Sequence, residues 1–213
     1  MGELHQTGTG TGTAFVGAFA DPVHGSQQTF RAIMNAMARP GTVHHLPDLT
    51  GDLGGIRAAT AAVAATLCDA DTHVLLDDEM ERSGFAQWLA FNTGAPVTDR
   101  PEAAAFAFLS SIDGLTELSG LAQGIQTYPD RSATLIVEVT DLATASGVTL
   151  TGPGINGSAE LRLGSLPDGL VPRLQDNHRL FPRGLDFVFV GEEALMCLPR
   201  STVLTVNATE RSA

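Results

Sequence analysis

The residues of this chain that could do chemistry are arginines, one aspartate and a few hydroxyls, most of them near its C-terminal end. Phe181-Pro182-Arg183-Gly184-Leu185-Asp186 leads into one apolar run, and Pro199-Arg200-Ser201-Thr202 follows a second. An arginine offers a planar fork of donors that matches the oxygens of a phosphate or a carboxylate. Near the other end, Arg31, Asn35 and Arg39 recur one helical turn apart, a polar stripe suited to an anion or a partner chain. Arg31, Arg39, Arg183, Asp186, Arg200, Ser201 and Thr202 are therefore the candidate anion- or interface-binding residues. For the stripe, a solvated helix face is the simpler reading. For the four arginines, the simpler reading is pairing with Asp and Glu across subunit interfaces.

The loudest motif is Gly152-Pro153-Gly154-Ile155-Asn156-Gly157, which matches G-x-G-x-x-G. A dinucleotide site needs a helix to open at the third glycine. Here Leu161-Arg162-Leu163 reads as extended and Pro153 stiffens the loop, so a turn between two strands is expected. The backbone around Gly152 and Gly154 could still cup a phosphate oxygen. Ser201, His178 and Asp186 supply the residue types of a hydrolytic triad, but no G-x-S-x-G elbow accompanies them. His44 and His45 are adjacent on an expected strand and point to opposite faces, so they cannot share one metal ion. With no H-x-x-x-H, C-x-x-C or clustered carboxylates, no metal site is expected.

All 12 basic residues are arginine, and the chain has no lysine. That excludes a pyridoxal phosphate aldimine and a Walker phosphate loop, both of which need a lysine amine. No cofactor is expected. Cys68 and Cys197 lie in apolar segments and read as buried free thiols. Cys197 has no His or Asn beside it that would mark it as a nucleophile.

The elements that must hold these residues follow from periodicity. Ser26 is expected to cap a helix over Gln27–Arg39, with Phe30, Ile33, Met34 and Met37 on its apolar face. Thr42–Leu46 reads as a short strand, Ile56–Cys68 as an Ala-rich helix and Val74–Leu76 as a strand. Ser83 is expected to cap Phe85–Asn92, whose Phe85, Trp88 and Leu89 share a face. Phe106–Leu109 is a strand, Leu115–Gln123 a short helix, and Thr134–Val139 and Val148–Thr151 are strands. Leu170–His178 reads as a helix. Phe187–Val190 and Ala194–Leu198, joined by Gly191-Glu192-Glu193, form a hairpin. Phe187–Val190 is apolar throughout and so belongs in the middle of a sheet. Val203–Val206 resumes extended.

Helices and strands alternate early and strands cluster late, which predicts a three-layer α/β/α domain with a mixed sheet. The 213 residues suit a single domain over 14–213, after a disordered Gly/Thr-rich tail at 1–13. A net charge of −12 without any basic stretch argues against nucleic acid. No apolar run is long enough for a membrane span and no signal peptide is apparent, so a soluble, cytoplasmic protein is expected.

An ordered set of segments carries a resemblance to a known family. They are Phe30-Arg31, Ala36-Met37-Ala38-Arg39-Pro40-Gly41, Thr66-Leu67-Cys68-Asp69-Ala70-Asp71-Thr72 and Asn92-Thr93-Gly94-Ala95-Pro96. Leu150-Thr151-Gly152-Pro153-Gly154-Ile155, the Phe181–Asp186 segment and Leu198-Pro199-Arg200-Ser201-Thr202 complete the set. The chain thus resembles the PhnH family, the H subunit of the bacterial carbon–phosphorus lyase core complex. The resemblance implies a fold similar to the large domain of pyridoxal-phosphate-dependent transferases, without the cofactor. It also implies a homodimer in isolation and assembly with the G, I and J subunits. Those subunits support transfer of a ribose-triphosphate moiety from ATP to a phosphonate. The resemblance brings no catalytic residues. Two functions follow: a non-catalytic subunit of such a complex, or a stand-alone nucleotide- or phosphonate-binding enzyme with a pocket lined by Arg31, Arg39, Arg183 and Arg200.

Overall fold

The computed structural model describes residues 17–51, 53, 55–115 and 120–207. The expected tail at 1–13 lies outside them. The first helix, α1 (Pro22–Ala38), starts earlier than the sequence suggested. Asp21 is its N-cap, accepting from the Val23 and His24 amides at 3.1 and 3.0 Å, and Pro22 fills the first helical position. Aspartate followed by proline is a stronger start signal than Ser26. Ser26 instead donates its hydroxyl to the Pro22 carbonyl one turn back.

Only half of the apolar face expected for α1 is buried: Ile33 is in the core and Met37 packs against it, but Phe30 and Met34 are not inside. Gly25, Thr29, Ala32, Ile33 and Ala36 face inward, while Phe30 and Met34 are about half exposed. Small residues let the helix lie close to its neighbours: a Cβ on Gly25 would come within 2.4 Å of the Phe19 ring. Large side chains cannot enter so tight a seam, and Val23, Phe30 and Met34 line the outer surface.

The central sheet has six strands: β1 (Val43–His45), β2 (Val74–Leu76), β3 (Phe106–Leu109), β6 (Thr134–Glu138), β9 (Asp186–Val190) and β10 (Ala194–Leu198). Their order across the sheet is β1-β10-β9-β6-β3-β2. Strands β2, β3, β6 and β9 run parallel, whereas β10 is antiparallel to both β9 and β1. The mixed sheet and the β9–β10 hairpin are thus as expected. The apolar run of β9 does sit in the interior, between β10 and β6. Its alternation divides the core: Val188 and Val190 point to one side, Phe187 and Phe189 to the other.

Helices cover the first side. They are α1, α2 (Ala58–Leu67), the five-residue α3 (Asp78–Arg82) and α4 (Phe85–Asn92). Phe85, Trp88 and Leu89 share the inward face of α4 as read from the sequence, and all three are fully buried. Trp88 donates its ring N–H to the Gly17 carbonyl at 2.9 Å, so its polar edge is satisfied. Ser83 closes α3 rather than opening α4, whose N-cap is the left-handed Gly84. The Asp77 cap and an acidic first turn start α3, a separate helix that the sequence reading missed.

The second side carries a different layer. A three-stranded antiparallel sheet, β11-β7-β8, lies there with α5 (Leu170–Arg179). It is built from β7 (Val148–Thr151), β8 (Ala159–Glu160) and β11 (Val203–Val206), and Leu150, Leu161, Leu170, Leu174 and Leu204 pack against Phe187 and Phe189. The third layer is therefore mainly a sheet, not the helical layer expected. The strand predicted at Leu161–Leu163 is displaced to Ala159–Glu160. A two-stranded ribbon, β4 (Gln123–Ile125) with β5 (Tyr128–Ser132), completes the elements. The helix predicted over Leu115–Gln123 is not formed at its ends: Leu115 follows a 3-10 turn and Gln123 opens β4, while 116–119 lie outside the described residues.

Both cysteines are free and buried. Burial, and then the charge of Asp69, pushes the Cys68 thiol up to about 12; burial raises Cys197 as well. Neither is set up as a nucleophile. Among the described residues no helix is long and apolar enough to cross a membrane, and no cluster of His, Cys, Asp and Glu could hold a metal.

Candidate functional site

The predicted site residues separate into two groups. Asp186, the first residue of β9, meets Arg200, which follows β10. Arg200 embraces the carboxylate with Nε at 3.1 Å and with Nη2, while its backbone N–H donates to the same Oδ1 at 2.8 Å. The remaining donors reach the ribbon, Nη1 to the Pro129 carbonyl at 2.7 Å and Nη2 to the Ser132 hydroxyl. Every part of the fork is engaged within the chain. The expected inter-subunit partner is thus replaced by an internal one. The small void beside Arg200 and Thr202 has no room for a water molecule.

Neighbouring contacts close this end further. Asn177 donates to the Leu185 carbonyl at 2.9 Å and accepts from the Leu185 amide at 2.7 Å. His178 uses Nδ1 on the Arg200 carbonyl at 3.0 Å, so His178, Asp186 and Ser201 are not arranged as a triad. Gly152 and Gly154 sit against other parts of the backbone. A Cβ on Gly154 would lie 2.0 Å from the Ala38 carbonyl, and one on Gly152 would lie 3.1 Å from that of Ser201. Both glycines have positive φ and let one backbone touch another. The segments around Ala36–Gly41, Leu150–Ile155, Phe181–Asp186 and Leu198–Thr202 therefore converge on one packing joint. Gly94 and Ala70 bring two more of the matching segments together elsewhere.

Arg31, Arg39 and Arg183 stand apart. All three are exposed, none has an acidic partner among the described residues, and none lines the cleft beside Arg57. Thr202 is buried with its hydroxyl unpaired, and Ser201 is half-buried. Among the described residues Arg31, Arg39 and Arg183 do not share the void beside Arg200.

A concave site lies at the opposite edge of the sheet. Asp77, Ser110, Glu138 and Glu192 stand at or just after the carboxyl ends of β2, β3, β6 and β9. Arg57, N-cap of α2, pairs through Nε with Glu138 at 3.1 Å and through Nη1 with Glu192 at 3.1 Å, and also donates to the Val139 carbonyl. The second oxygen of Glu138 accepts from the fully buried Thr60 hydroxyl at 2.5 Å. Asp77 accepts from the amides of Met80 and Ser110 and from the Ser110 hydroxyl at 2.7–2.8 Å. Beside them opens a cleft of about 520 Å³, lined by Arg57, Glu79, Ser83, Ser110, Glu138 and Glu192 among others. In open α/β sheets, ligands bind in the crevice outside the carboxyl ends of parallel strands. The lining carries more carboxylates than arginines. The 81% exposed Glu192 competes with any anion for Arg57.

Sequence reasoning missed this cleft. Its one signal was a polar residue after each apolar run, which has meaning only once the parallel order is known.

The architecture is that of a mixed-sheet α/β protein with a polar crevice at its carboxyl edge. The sequence pattern of the PhnH family, bacterial phosphonate metabolism proteins, matches residues 17–205. The alpha-D-ribose 1-methylphosphonate 5-triphosphate synthase subunit PhnH of Rhizobium meliloti (strain 1021) is 40% identical over 190 residues, covering 89% of this chain and 95% of that protein. The putative C-P lyase subunit protein HtxG of Stutzerimonas stutzeri is 28% identical over 187 residues, covering 85% and 86% respectively. The chain belongs to the PhnH family.

Proposed function

We propose that this chain is a subunit of a carbon–phosphorus lyase system for organophosphonate use. In that role it supports transfer of ribose triphosphate from ATP to a phosphonate and carries out no catalysis alone. The observation that carries this reading is the 40% identity, over nearly the full length of the relative, to a subunit of such a synthase. The geometry is in keeping with it: the motif arginine Arg200 is engaged internally, and Arg31, Arg39 and Arg183 lie outside the Arg57 cleft. Gly152 and Gly154 are packing residues in this reading.

The chain works in the cytoplasm as a homodimer, as one domain over 14–213, and joins the G, I and J subunits. Its fold is that of the large domain of pyridoxal-phosphate-dependent transferases without the cofactor. The missing lysine is in keeping with that, since no aldimine can form. The exposed stripe of Val23, Phe30 and Met34 on α1 supplies apolar surface for association, flanked by Arg31 and Asn35.

Co-expression with candidate G, I and J subunits from the same organism, followed by size exclusion, tests the proposal. One large stoichiometric peak is expected. A lone homodimer, with the other three eluting together without it, overturns it. The stand-alone alternative has a separate test. ATP or a phosphonate raising the Tm of the isolated protein, and losing that effect in Arg57→Ala, would move the role to the cleft.

A further inference from the structure

Of the five asparagines in the chain, only Asn156 precedes a glycine. It sits in the turn between β7 and β8, whose near side is fixed at two points. Gly154 lies against the Ala38 carbonyl, and Ile155 packs on the second core with its N–H on the Gly152 carbonyl at 3.2 Å. Beyond Ile155 the hold ends. Asn156 and Gly157 are exposed, and neither the Asn156 side chain nor the Gly157 amide makes a hydrogen bond among the described residues. Gly157 has φ +77° and open space where a Cβ would stand. Gly157 itself has no side chain to crowd the approach of its backbone nitrogen to the Asn156 side chain.

We propose that Asn156 is a site of spontaneous deamidation in the folded protein. The deprotonated Gly157 nitrogen attacks Cγ of Asn156, a C–N bond forms, and the side-chain amide leaves as ammonia. Water then opens the resulting succinimide at either carbonyl, giving aspartate or isoaspartate. No oxidation or reduction occurs; the net change is water in and ammonia out. The product carries one added negative charge on the loop that packs against the last turn of α1.

The other asparagines are held differently. Asn177 is buried and bonded twice to Leu185, and Asn92 donates to the Trp88 carbonyl. Asn207 accepts from the Thr149 hydroxyl, and Asn35 lies within α1 with Ala36 after it. In each of these four, the following residue bears a side chain that crowds the attacking nitrogen.

The test is to incubate the full-length native protein in mildly alkaline buffer and follow it by isoelectric focusing and peptide mapping. A single more acidic species is expected, shifted by one charge, with conversion at Asn156 ahead of the other four. Asn156→Gln removes the shift, and Asn156→Asp migrates with the product from the start while keeping the parent Tm. If the acidic species forms unchanged in N156Q, or another asparagine converts first, the proposal is wrong. It is equally wrong if Asn156 converts only after denaturation, because the folded loop would then be protecting it.

Discussion

The two edges of the central sheet use the same chemical pair, an arginine against carboxylates, to opposite ends. At the amino edge of the parallel strands Arg200 is surrounded: its side chain is 13% exposed, Asp186 faces it, and backbone and hydroxyl acceptors take the remaining donors. At the carboxyl edge Arg57 has one enclosed partner, Glu138, and one partner in solvent, Glu192. The first arrangement has no freedom left and fixes the fold. The second leaves space in front of the guanidinium. The segments that mark the family meet mostly at the closed edge, so they report on how the chain folds more than on what it binds.

Substitutions should grade accordingly. Arg200→Ala is expected to have the largest effect, a loss of about 3–5 kcal/mol in urea unfolding, because it strands a half-buried carboxylate. If R200A unfolds like the parent, the closed edge is not a structural joint and the contrast fails. Gly154→Ala should come next, at about 2–3 kcal/mol, from the clash with the Ala38 carbonyl and the left-handed backbone. Thr60→Val removes one buried donor from Glu138 at the open edge and should cost about 1–2 kcal/mol. Glu192→Ala should change stability by less than about 0.5 kcal/mol, since its exposed ion pair is screened by water. A loss in E192A as large as that in R200A would mean that the open edge is as rigid as the closed one.

The layout was partly legible before any coordinates. The hairpin of β9 and β10, the central place of the Phe187–Val190 run and the inward face of α4 all followed from uninterrupted or periodic apolar residues. The turn reading of Gly152–Gly157 held because proline and a following extended stretch left no helix to open there. What failed depended on distance between segments. Phe30 and Met34 have helical spacing, but α1 lies too close to its neighbours for them to fit, and only the packed structure reveals that. The Arg57 cleft draws on residues spread from 57 to 192, and no spacing rule connects them. The partner of Arg200 was hidden for the same reason: Asp186 was noted as a site residue, yet nothing in the sequence joined the two.

The position of β1 has a consequence for how the chain is made. Val43 pairs with Met196 and His45 with Ala194, and among the described residues β10 is the only strand beside β1 in the sheet. During synthesis β1 leaves the ribosome about 150 residues ahead of β10, the strand it docks on. Contacts this distant in sequence close slowly. The early segment must wait with Val43 unpaired, while the parallel core of β2, β3 and β6 can begin to collapse behind it. Closure of β1 onto β10 is therefore expected to be a late step of folding.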